Sequence, residues 1–240
     1  MHIVRIIPVI DLLDGVVVHA KQGQRKHYQP IVSPLSASSN PMDIVKAFME
    51  IYPFDTLYIA DLNAIQRLDS DVGIHQSIIA DIQQTFPQLS IWLDAGIRHL
   101  DDAKPWQPMN VSLVLGTESI DSLASYLAIL SAMPDKFVLS LDFMPEGYQG
   151  LDVFLQSTEY WPQDVIVMTL KHVGAQQGVA SELLSQLSLQ SQHHHLYAAG
   201  GVRNLEDITL LKHLGMHGAL IATALHTQQI NTVALKEIYA

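Results

Sequence analysis

Aspartates follow directly after short apolar runs at four places in the chain: Asp11, Asp61, Asp94 and Asp142. A carboxylate beside a buried apolar strand is costly unless it faces a polar cavity, so these positions predict a cavity lined by acidic groups. Two carboxyl groups in different surroundings can act as general base and general acid. Asp11 and Asp142 are the predicted catalytic pair, and Asp61 and Asp94 are possible further members. The alternative is that some of the four cap the following loop by accepting backbone N–H bonds.

Glycines and threonines in matching places predict a phosphate-binding site. Glycine lets backbone N–H groups approach an anion closely, and the start of a helix adds a favourable dipole. Gly96 and Gly200-Gly201 each precede a predicted helix, and Thr117 and Thr223 add hydroxyl groups. The predicted phosphate ligands are Gly96, Gly116, Thr117, Gly200, Gly201 and Thr223.

Cationic side chains concentrate in the loops that follow predicted strands. Seven of the 13 Lys and Arg residues lie there: Lys21, Arg25, Lys26, Arg67, Arg98, Lys171 and Arg203. Because the chain carries a net charge of −11, this placement suggests focusing of an anionic substrate. Lys21 is a predicted phosphate ligand, since a cationic first loop can close over a phosphate. The alternative for Arg98 and Arg203 is that they only begin helices. His172 follows another strand and is a possible polar contact.

Short apolar runs alternate with amphipathic segments and must position these residues. Eight runs are predicted strands: Ile3–Asp11, Thr56–Asp61, Ser90–Asp94, Val111–Gly116, Phe137–Asp142, Asp164–Thr169, Leu196–Ala199 and Gly218–Ala222. The predicted helices are Pro41–Tyr52, Asp71–Phe86, Ser122–Met133, Ser181–Leu189, Leu205–Leu214 and Thr232–Ala240, with shorter helical segments at Asp101–Trp106 and Leu151–Tyr160. Eight strand–helix units in 240 residues match a (β/α)8 TIM barrel. A doubly wound open sheet is the alternative, but no glycine-rich dinucleotide fingerprint follows the first strand.

An internal repeat favours a barrel built from two half-barrels. Residues 91–102 align without gaps on residues 196–207, so that Gly96 matches Gly201. Active sites of such barrels form at the carboxyl ends of the strands, where the aspartates, glycines and threonines fall. Within the long first loop, Ser33–Asn40 is polar and is predicted to be mobile.

Composition excludes several classes of protein. With no cysteine, disulfides, thiolate catalysis and cysteine-bound zinc are impossible. The acidic charge argues against nucleic-acid binding, and no apolar run reaches the roughly 18 residues that a membrane helix needs. Consecutive histidines at 193–195 would point to alternate sides of a strand and could not jointly face one metal. We predict one cytoplasmic domain, residues 1–240, without membrane or nucleic-acid partners. The sequence leaves its oligomeric state open.

Several motifs together resemble the histidine-biosynthesis barrels. The opening segment Ile7–Val17 (IPVIDLLDGVV) is similar to their first strand, and further matches are Ala95–Arg98 (AGIR), Leu115–Thr117 (LGT) and Ala199–Arg203 (AGGVR). The resemblance covers nearly the whole chain. The family includes a ribotide isomerase and the cyclase subunit of imidazole glycerol phosphate synthase, so it implies a ribulose-phosphate-binding TIM barrel that acts on phosphorylated ribose.

The resemblance also implies roles for single residues. Asp11 would be the base of an Amadori-type aldose–ketose rearrangement, Asp142 the acid that opens the sugar ring, and Thr169 a contact of the sugar. One phosphate would lie on Gly96, Gly116 and Thr117, and the other on Gly200, Gly201 and Thr223. Such proton transfer requires neither a metal nor an organic cofactor.

Some positions depart from the family's pattern. Its Gly-Gly after the third strand is Asp94-Ala95-Gly96 here, and the extra carboxylate would repel a phosphate. Some members use an aspartate from the loop after the sixth strand as the acid, and that loop has none here. The first loop and Ala60–Ile65 are more similar to an uncharacterised branch in methanogenic archaea and methylotrophic bacteria, which is suspected of a role near tetrahydromethanopterin-type cofactor synthesis.

These features predict an isomerase of an N-aryl or aminoimidazole ribose phosphate. One alternative is a non-catalytic barrel, or partner subunit, that binds a phosphoribosyl ligand. Another is a cyclase that works with a glutaminase partner.

Overall fold

The computed structural model describes residues 3–20, 24–68, 73–133, 137–174, 178–191 and 193–239. Within these ranges ten strands form one sheet: β1 (Arg5–Leu13), β2 (Val16–Val18), β3 (Thr56–Asp61), β4 (Ser90–Asp94), β5 (Val111–Gly116), β6 (Phe137–Met144), β7 (Gly147–Gln149), β8 (Asp164–Thr169), β9 (His195–Ala199) and β10 (Gly218–Ile221). The α-helices are α1 (Pro41–Ile51), α2 (Leu62–Gln66), α3 (Gly73–Thr85), α4 (Leu100–Ala103), α5 (Leu123–Ala132), α6 (Val153–Gln156), α7 (Ser181–Gln190), α8 (Leu205–His213), α9 (Thr223–His226) and α10 (Thr232–Ile238). None of these helices is long and apolar enough to cross a membrane.

Eight parallel strands close into a barrel in the order β1, β3, β4, β5, β6, β8, β9 and β10. The pairing of β10 with β1, which sets Gly218 opposite Arg5 and Ile221 opposite Pro8, closes the sheet. The predicted (β/α)8 barrel is therefore confirmed.

Side chains alternate between two apolar layers because the strand repeat is two residues. One layer lies between the sheet and the helices and includes Ile10, Leu57 and Leu93. The other fills the barrel with a side chain from every strand: Ile7, Tyr58, Trp92, Val114, Val138, Ile166, Tyr197 and Leu220. Residues two positions further along several of these strands point into the open end of the barrel.

Two hairpins extend barrel strands beyond their predicted ends. β1 continues past Asp11, which lies opposite Val18 of β2. β6 continues past Asp142, which lies opposite Gln149 of β7. The prediction that both strands stop at the aspartate was wrong. Because the two hairpins occupy corresponding places in the two half-barrels, they extend the internal repeat from sequence to structure.

The turn of the first hairpin explains its formation. Asp14 and Gly15 both adopt positive φ, 49° and 78°. A two-residue hairpin turn of type I′ requires this conformation at both positions, and an Asp-Gly pair favours it.

The two copies of the repeat also begin their helices alike. The backbone N–H of Arg98 donates to the carboxylate of Asp102 at 2.9 Å, and that of Arg203 donates to Asp207 at 2.8 Å. A carboxylate in the first turn satisfies N–H groups that have no acceptor within the helix.

Candidate active site

A pocket opens at the carboxyl ends of the barrel strands, and Asp11, Asp94 and Asp142 line it. Asp11 lies opposite Ala60 on β3, which lies opposite Asp94 on β4. Paired residues of a parallel sheet share one face, so both carboxyl groups point inward. Asp142 faces the same pocket from β6, in the other half-barrel. The fold therefore brings together three of the four predicted aspartates.

Asp142 is buried, and its carboxyl group is held at both oxygens. The Ser140 hydroxyl donates to Oδ1 at 2.6 Å, and the backbone N–H of Glu118 donates to Oδ2 at 3.0 Å. Burial raises the pKa of Asp142 to about 8, against the opposing effect of these two hydrogen bonds. Asp142 therefore keeps its proton at neutral pH and is suited to be an acid.

Asp94 is held between the neighbouring strand and its own turn. The Tyr58 hydroxyl donates to Oδ2 at 3.3 Å, and the backbone N–H of Gly96 donates to Oδ1 at 3.0 Å. Burial raises the pKa of Tyr58 well above its usual value, and the nearby carboxylates, Asp94 most strongly, raise it further. The floor of the pocket thus carries a neutral phenol among three carboxyl groups.

Asp61 lies outside this pocket, contrary to the prediction that it shares the cavity. It pairs with Leu12 on the outward face of the sheet. Its Oδ1 accepts a hydrogen bond from the Ala64 N–H at 3.0 Å, and this bond caps α2. The same oxygen lies 2.7 Å from the Nδ1 of His75 and accepts a hydrogen bond from it. The Nε2 of His75 accepts the Gly15 N–H at 3.1 Å, so His75 is the neutral Nδ1–H tautomer. The capping alternative therefore describes Asp61.

Thr169 also points away from the pocket, on the outward face opposite Phe143. Its hydroxyl donates to the carbonyl oxygen of Ala199 at 2.8 Å. A Cβ at Gly200 would lie only 2.5 Å from the Thr169 carbonyl oxygen, so the threonine packs directly beneath that turn. The structure thus places Thr169 against the Gly200 turn and outside the pocket, and its contact with the sugar stays a prediction.

In the first half-barrel the predicted phosphate ligands already serve the aspartates. Gly96 donates its N–H to Asp94, as described above. A Cβ at Gly116 would lie 2.9 Å from Asp142 Oδ2, so this glycine makes room for the carboxyl group. The Thr117 hydroxyl is buried and accepts the backbone N–H of Asp142 at 2.9 Å. None of these three residues lines the pocket, and the phosphate site predicted on them stays a prediction.

In the second half-barrel, by contrast, Gly200, Gly201 and Thr223 all line the pocket. Gly201 has φ +87°, and a Cβ there would lie 2.1 Å from the Gly178 carbonyl oxygen, so only glycine fits. Thr223 is the first residue of α9. Within the described part of the chain, nothing accepts the backbone N–H groups of Gly201, Thr223 or Ala224. These three donors are suited to hold a phosphate-sized anion.

The first loop forms one wall of the pocket and packs against the barrel. The Ile31 N–H donates to the Val17 carbonyl oxygen at 2.9 Å, and the Ser33 hydroxyl lies 2.9 Å from His226 Nδ1. Burial lowers the pKa of His226 to about 4, so this histidine is neutral at pH 7. The prediction that Ser33–Asn40 is mobile finds no support in this folded arrangement.

Two of the predicted cations are paired with carboxylates outside the pocket. The Arg203 guanidinium binds Asp207 at 2.8 Å, and that of Arg67 lies 3.6 Å from Asp102. Among the residues that the structure describes, no Lys or Arg lines the pocket. Lys21 lies outside the described residues, so its contact with phosphate stays a prediction.

Comparison with known proteins connects this site to a family. A family model described as histidine biosynthesis protein matches residues 5–231. The chain belongs to this family.

Two curated relatives come from the same methanogen. The chain is 32% identical to an uncharacterised protein of Methanocaldococcus jannaschii, over 92% of this chain and 93% of the relative. It is 26% identical to that organism's 1-(5-phosphoribosyl)-5-((5-phosphoribosylamino)methylideneamino)imidazole-4-carboxamide isomerase, over 97% of this chain and 98% of the relative. The chain is 28% identical to an isomerase of the same name from Ruegeria sp., over 97% of this chain and 93% of the relative. Similarity thus spans the whole barrel.

Several pocket residues of this histidine-biosynthesis family member were missed from sequence. Tyr58, Glu118 and His226 all line the pocket, as does the predicted His172, whose Nδ1 lies 2.7 Å from the Gly178 carbonyl oxygen. A signal was available for Tyr58, since it precedes the strand-end residue Ala60 by one strand repeat. His226 lies in a short helix beyond the last strand, and no spacing pattern marks it.

Proposed function

We propose that the protein is an Amadori-type aldose–ketose isomerase acting on an N-aryl or aminoimidazole ribose phosphate. The observation that carries this proposal is the pairing of Asp11 and Asp142, one from each half-barrel, on opposite sides of a single pocket. Their surroundings differ, because Asp142 is buried and holds a proton whereas Asp11 is only partly buried. Such a division is what acid and base catalysis by two carboxyl groups requires.

Each step then moves only protons. Asp142 protonates the ring oxygen of the ribosylamine while the nitrogen lone pair forms the C1=N bond and the C1–O bond breaks. Asp11 removes the proton from C2, and the electron pair of that C–H bond forms C1=C2 as the iminium nitrogen becomes an amine. Asp11 returns its proton to C1, and the O2 proton is released to restore the protonated Asp142, which gives the aminoketose. Substrate and product are isomers, so no oxidant or reductant enters.

The open anion position would hold the sugar phosphate during these steps. The backbone N–H groups of Gly201, Thr223 and Ala224 would bind it, with the Thr223 hydroxyl close by. Anchoring the phosphate at one end of the pocket keeps C1 and C2 near the two aspartates. Lys21 is proposed as a further phosphate ligand from the first loop.

We also propose that the pathway is other than histidine synthesis. The chain is more similar to the uncharacterised M. jannaschii protein than to the carboxamide isomerase of the same organism. One organism thus carries both kinds of protein, which supports different substrates for the two. A step near tetrahydromethanopterin-type cofactor synthesis, as the methanogen resemblance suggests, would suit an N-aryl ribose phosphate.

The direct test is turnover of an N-phenyl ribosylamine 5-phosphate to its aminoketose, followed by NMR of the C1 and C2 protons. We expect turnover by the wild type and a loss of about 10²–10⁴-fold in D11N, the usual contribution of a general base. Since Asp142 must carry its proton, kcat should fall as the pH rises through about 8. D81N, which changes an exposed carboxylate on α3, is the control.

Two results would contradict the proposal. One is full activity of D11N. The other is binding of the ribosylamine phosphate by the wild type without turnover at any pH from 5 to 9, which would favour the non-catalytic binding barrel.

A further inference from the structure

We propose that Asp94 selects the substrate by occupying the position where a second phosphate would bind. This inference rests on the proposed function and concerns the end of the pocket opposite Gly201 and Thr223. It assigns to the protein a substrate with one phosphate and with a hydrogen-bond donor, such as an aromatic amine, at its other end.

The internal repeat supplies the comparison that supports it. Gly96 and Gly201 occupy the same place in the two copies, with φ of +58° and +87°. Two residues earlier, the first copy has Asp94 and the second has Ala199. Asp94 Oδ1 accepts the Gly96 N–H at 3.0 Å, whereas no described residue accepts the Gly201 N–H. The Asp94 carboxylate therefore stands where an oxygen of a phosphate would stand in the second copy.

A second backbone N–H of the first half-barrel, that of Glu118, is also bonded to a carboxyl oxygen. In the repeat, Glu118 corresponds to Ala224, whose N–H belongs to the open anion position. The Glu118 N–H instead donates to Asp142 Oδ2 at 3.0 Å. Of the three matching N–H groups of the first half-barrel, those of Gly96 and Glu118 are thus bonded to carboxyl oxygens. The third, of Thr117, donates to the Ser140 carbonyl oxygen at 2.9 Å.

Charge acts in the same direction as this occupation. Asp94 and Glu118 line this end of the pocket beside the protonated Asp142, and none of its described lining residues is a Lys or Arg. A phosphate here would lose its N–H donors and meet negative charge at short range. An amine or amide N–H would instead find an acceptor in Asp94. Leu62 and Ile65 line the adjoining wall and suit an aromatic ring.

The relatives' name sharpens the contrast. The substrate named for the carboxamide isomerases contains two phosphoribosyl groups. A chain with one open anion position should bind such a molecule weakly.

The test counts bound phosphate and uses a pair of reciprocal variants. Isothermal titration with inorganic phosphate should give one site per chain for the wild type and two for D94A, which reproduces the Ala199 environment. A199D reproduces the Asp94 environment and should give none, because the new carboxylate would accept the Gly201 N–H. D94A should also bind the two-phosphate substrate named for the relatives at least about tenfold more tightly than wild type does, about 1.4 kcal/mol.

The outcomes separate this inference from the proposed function. Two sites in the wild type, one site in a folded D94A, or unchanged binding in a folded A199D would each overturn it, with circular dichroism as the test of folding. If D94A fails to fold, the wild-type count and A199D still decide. Phosphate counts of one, two and none without any isomerase turnover would support the selection by Asp94 and refute the isomerase. Turnover of the ribosylamine phosphate, with the same number of phosphate sites in wild type, D94A and A199D, would support the isomerase and refute the selection by Asp94.

Discussion

The chemistry of single residues here depends on what surrounds identical carboxyl groups. Asp142 is buried beneath Ser140 and the Glu118 N–H, and burial raises its pKa to about 8. Asp61 is equally buried, but it is used to cap α2 and to bind His75. The same side chain is thus an acid candidate at one strand end and a structural cap at another.

Replacement of Asp142 by Asn should change how stability depends on pH. The folded protein holds a proton on Asp142 up to about pH 8, whereas the unfolded chain releases it above the ordinary value of 3.8. Between these values the folded state binds more protons, so the free energy of unfolding falls as pH rises, by at most about 1.4 kcal/mol per unit. D142N cannot titrate. It should therefore gain stability relative to wild type from pH 5 to pH 8, measured by urea unfolding. Parallel curves for the two proteins would contradict this, and D81N should follow the wild type.

At the scale of elements, the hairpin of β1 and β2 joins the catalytic strand to the pocket wall. Val17 and Val18 of β2 line the pocket, and His75 on α3 donates to Asp61 and accepts the Gly15 N–H of the hairpin turn. This link runs from the first hairpin through the neighbouring helix to β3. It keeps the wall in place without contributing a group to the pocket.

Removal of the His75 imidazole should therefore loosen the hairpin. H75A leaves the Gly15 N–H and an Asp61 oxygen without this partner, and a lost buried hydrogen bond costs about 1–3 kcal/mol. We expect a loss of that size in urea unfolding, with faster hydrogen exchange of the Gly15 amide. H213A, at an exposed position on α8, is the matched control. Equal free energies of unfolding for H75A and H213A would show that the His75 hydrogen bonds do not stabilise the protein.

At the scale of the whole molecule, the barrel depends on the seam where its last strand meets its first. Gly218 of β10 lies between Tyr197 of β9 and Arg5 of β1. A Cβ at this position would lie 2.6 Å from Tyr197 Cδ1 and 2.7 Å from the Arg5 carbonyl oxygen. Because residue 218 has no side chain, the seam closes without a steric clash.

G218A should weaken the entire barrel rather than a single loop. Forcing an extra methyl group into a packed interior costs about 1–3 kcal/mol. The midpoint of urea unfolding should fall while the transition stays cooperative, as followed by tryptophan fluorescence and by circular dichroism. An unchanged midpoint would mean that the seam has room to adjust.

The barrel itself was predictable because its signals are local and repeated. The eight apolar runs appear as the eight barrel strands, and the six long predicted helices appear with ends within two residues of those expected. The extension of β1 beyond Asp11 was missed, although Asp14-Gly15 between apolar runs is a strong hairpin signal. The turn of the second hairpin, Pro145-Glu146, contains no Asp-Gly pair.

The sequence by itself determined the barrel, its repeat and the set of polar residues at the strand ends. The tertiary structure decided which of them share a pocket. Side chains reverse direction at every strand residue, so Asp11 and Asp94 point inward while Asp61 and Thr169 point outward. It also decided which glycine N–H groups remain open to a phosphate. Whether a glycine N–H is open depends on which acceptors folding brings close to it. The sequence repeat alone predicts a phosphate site in both copies.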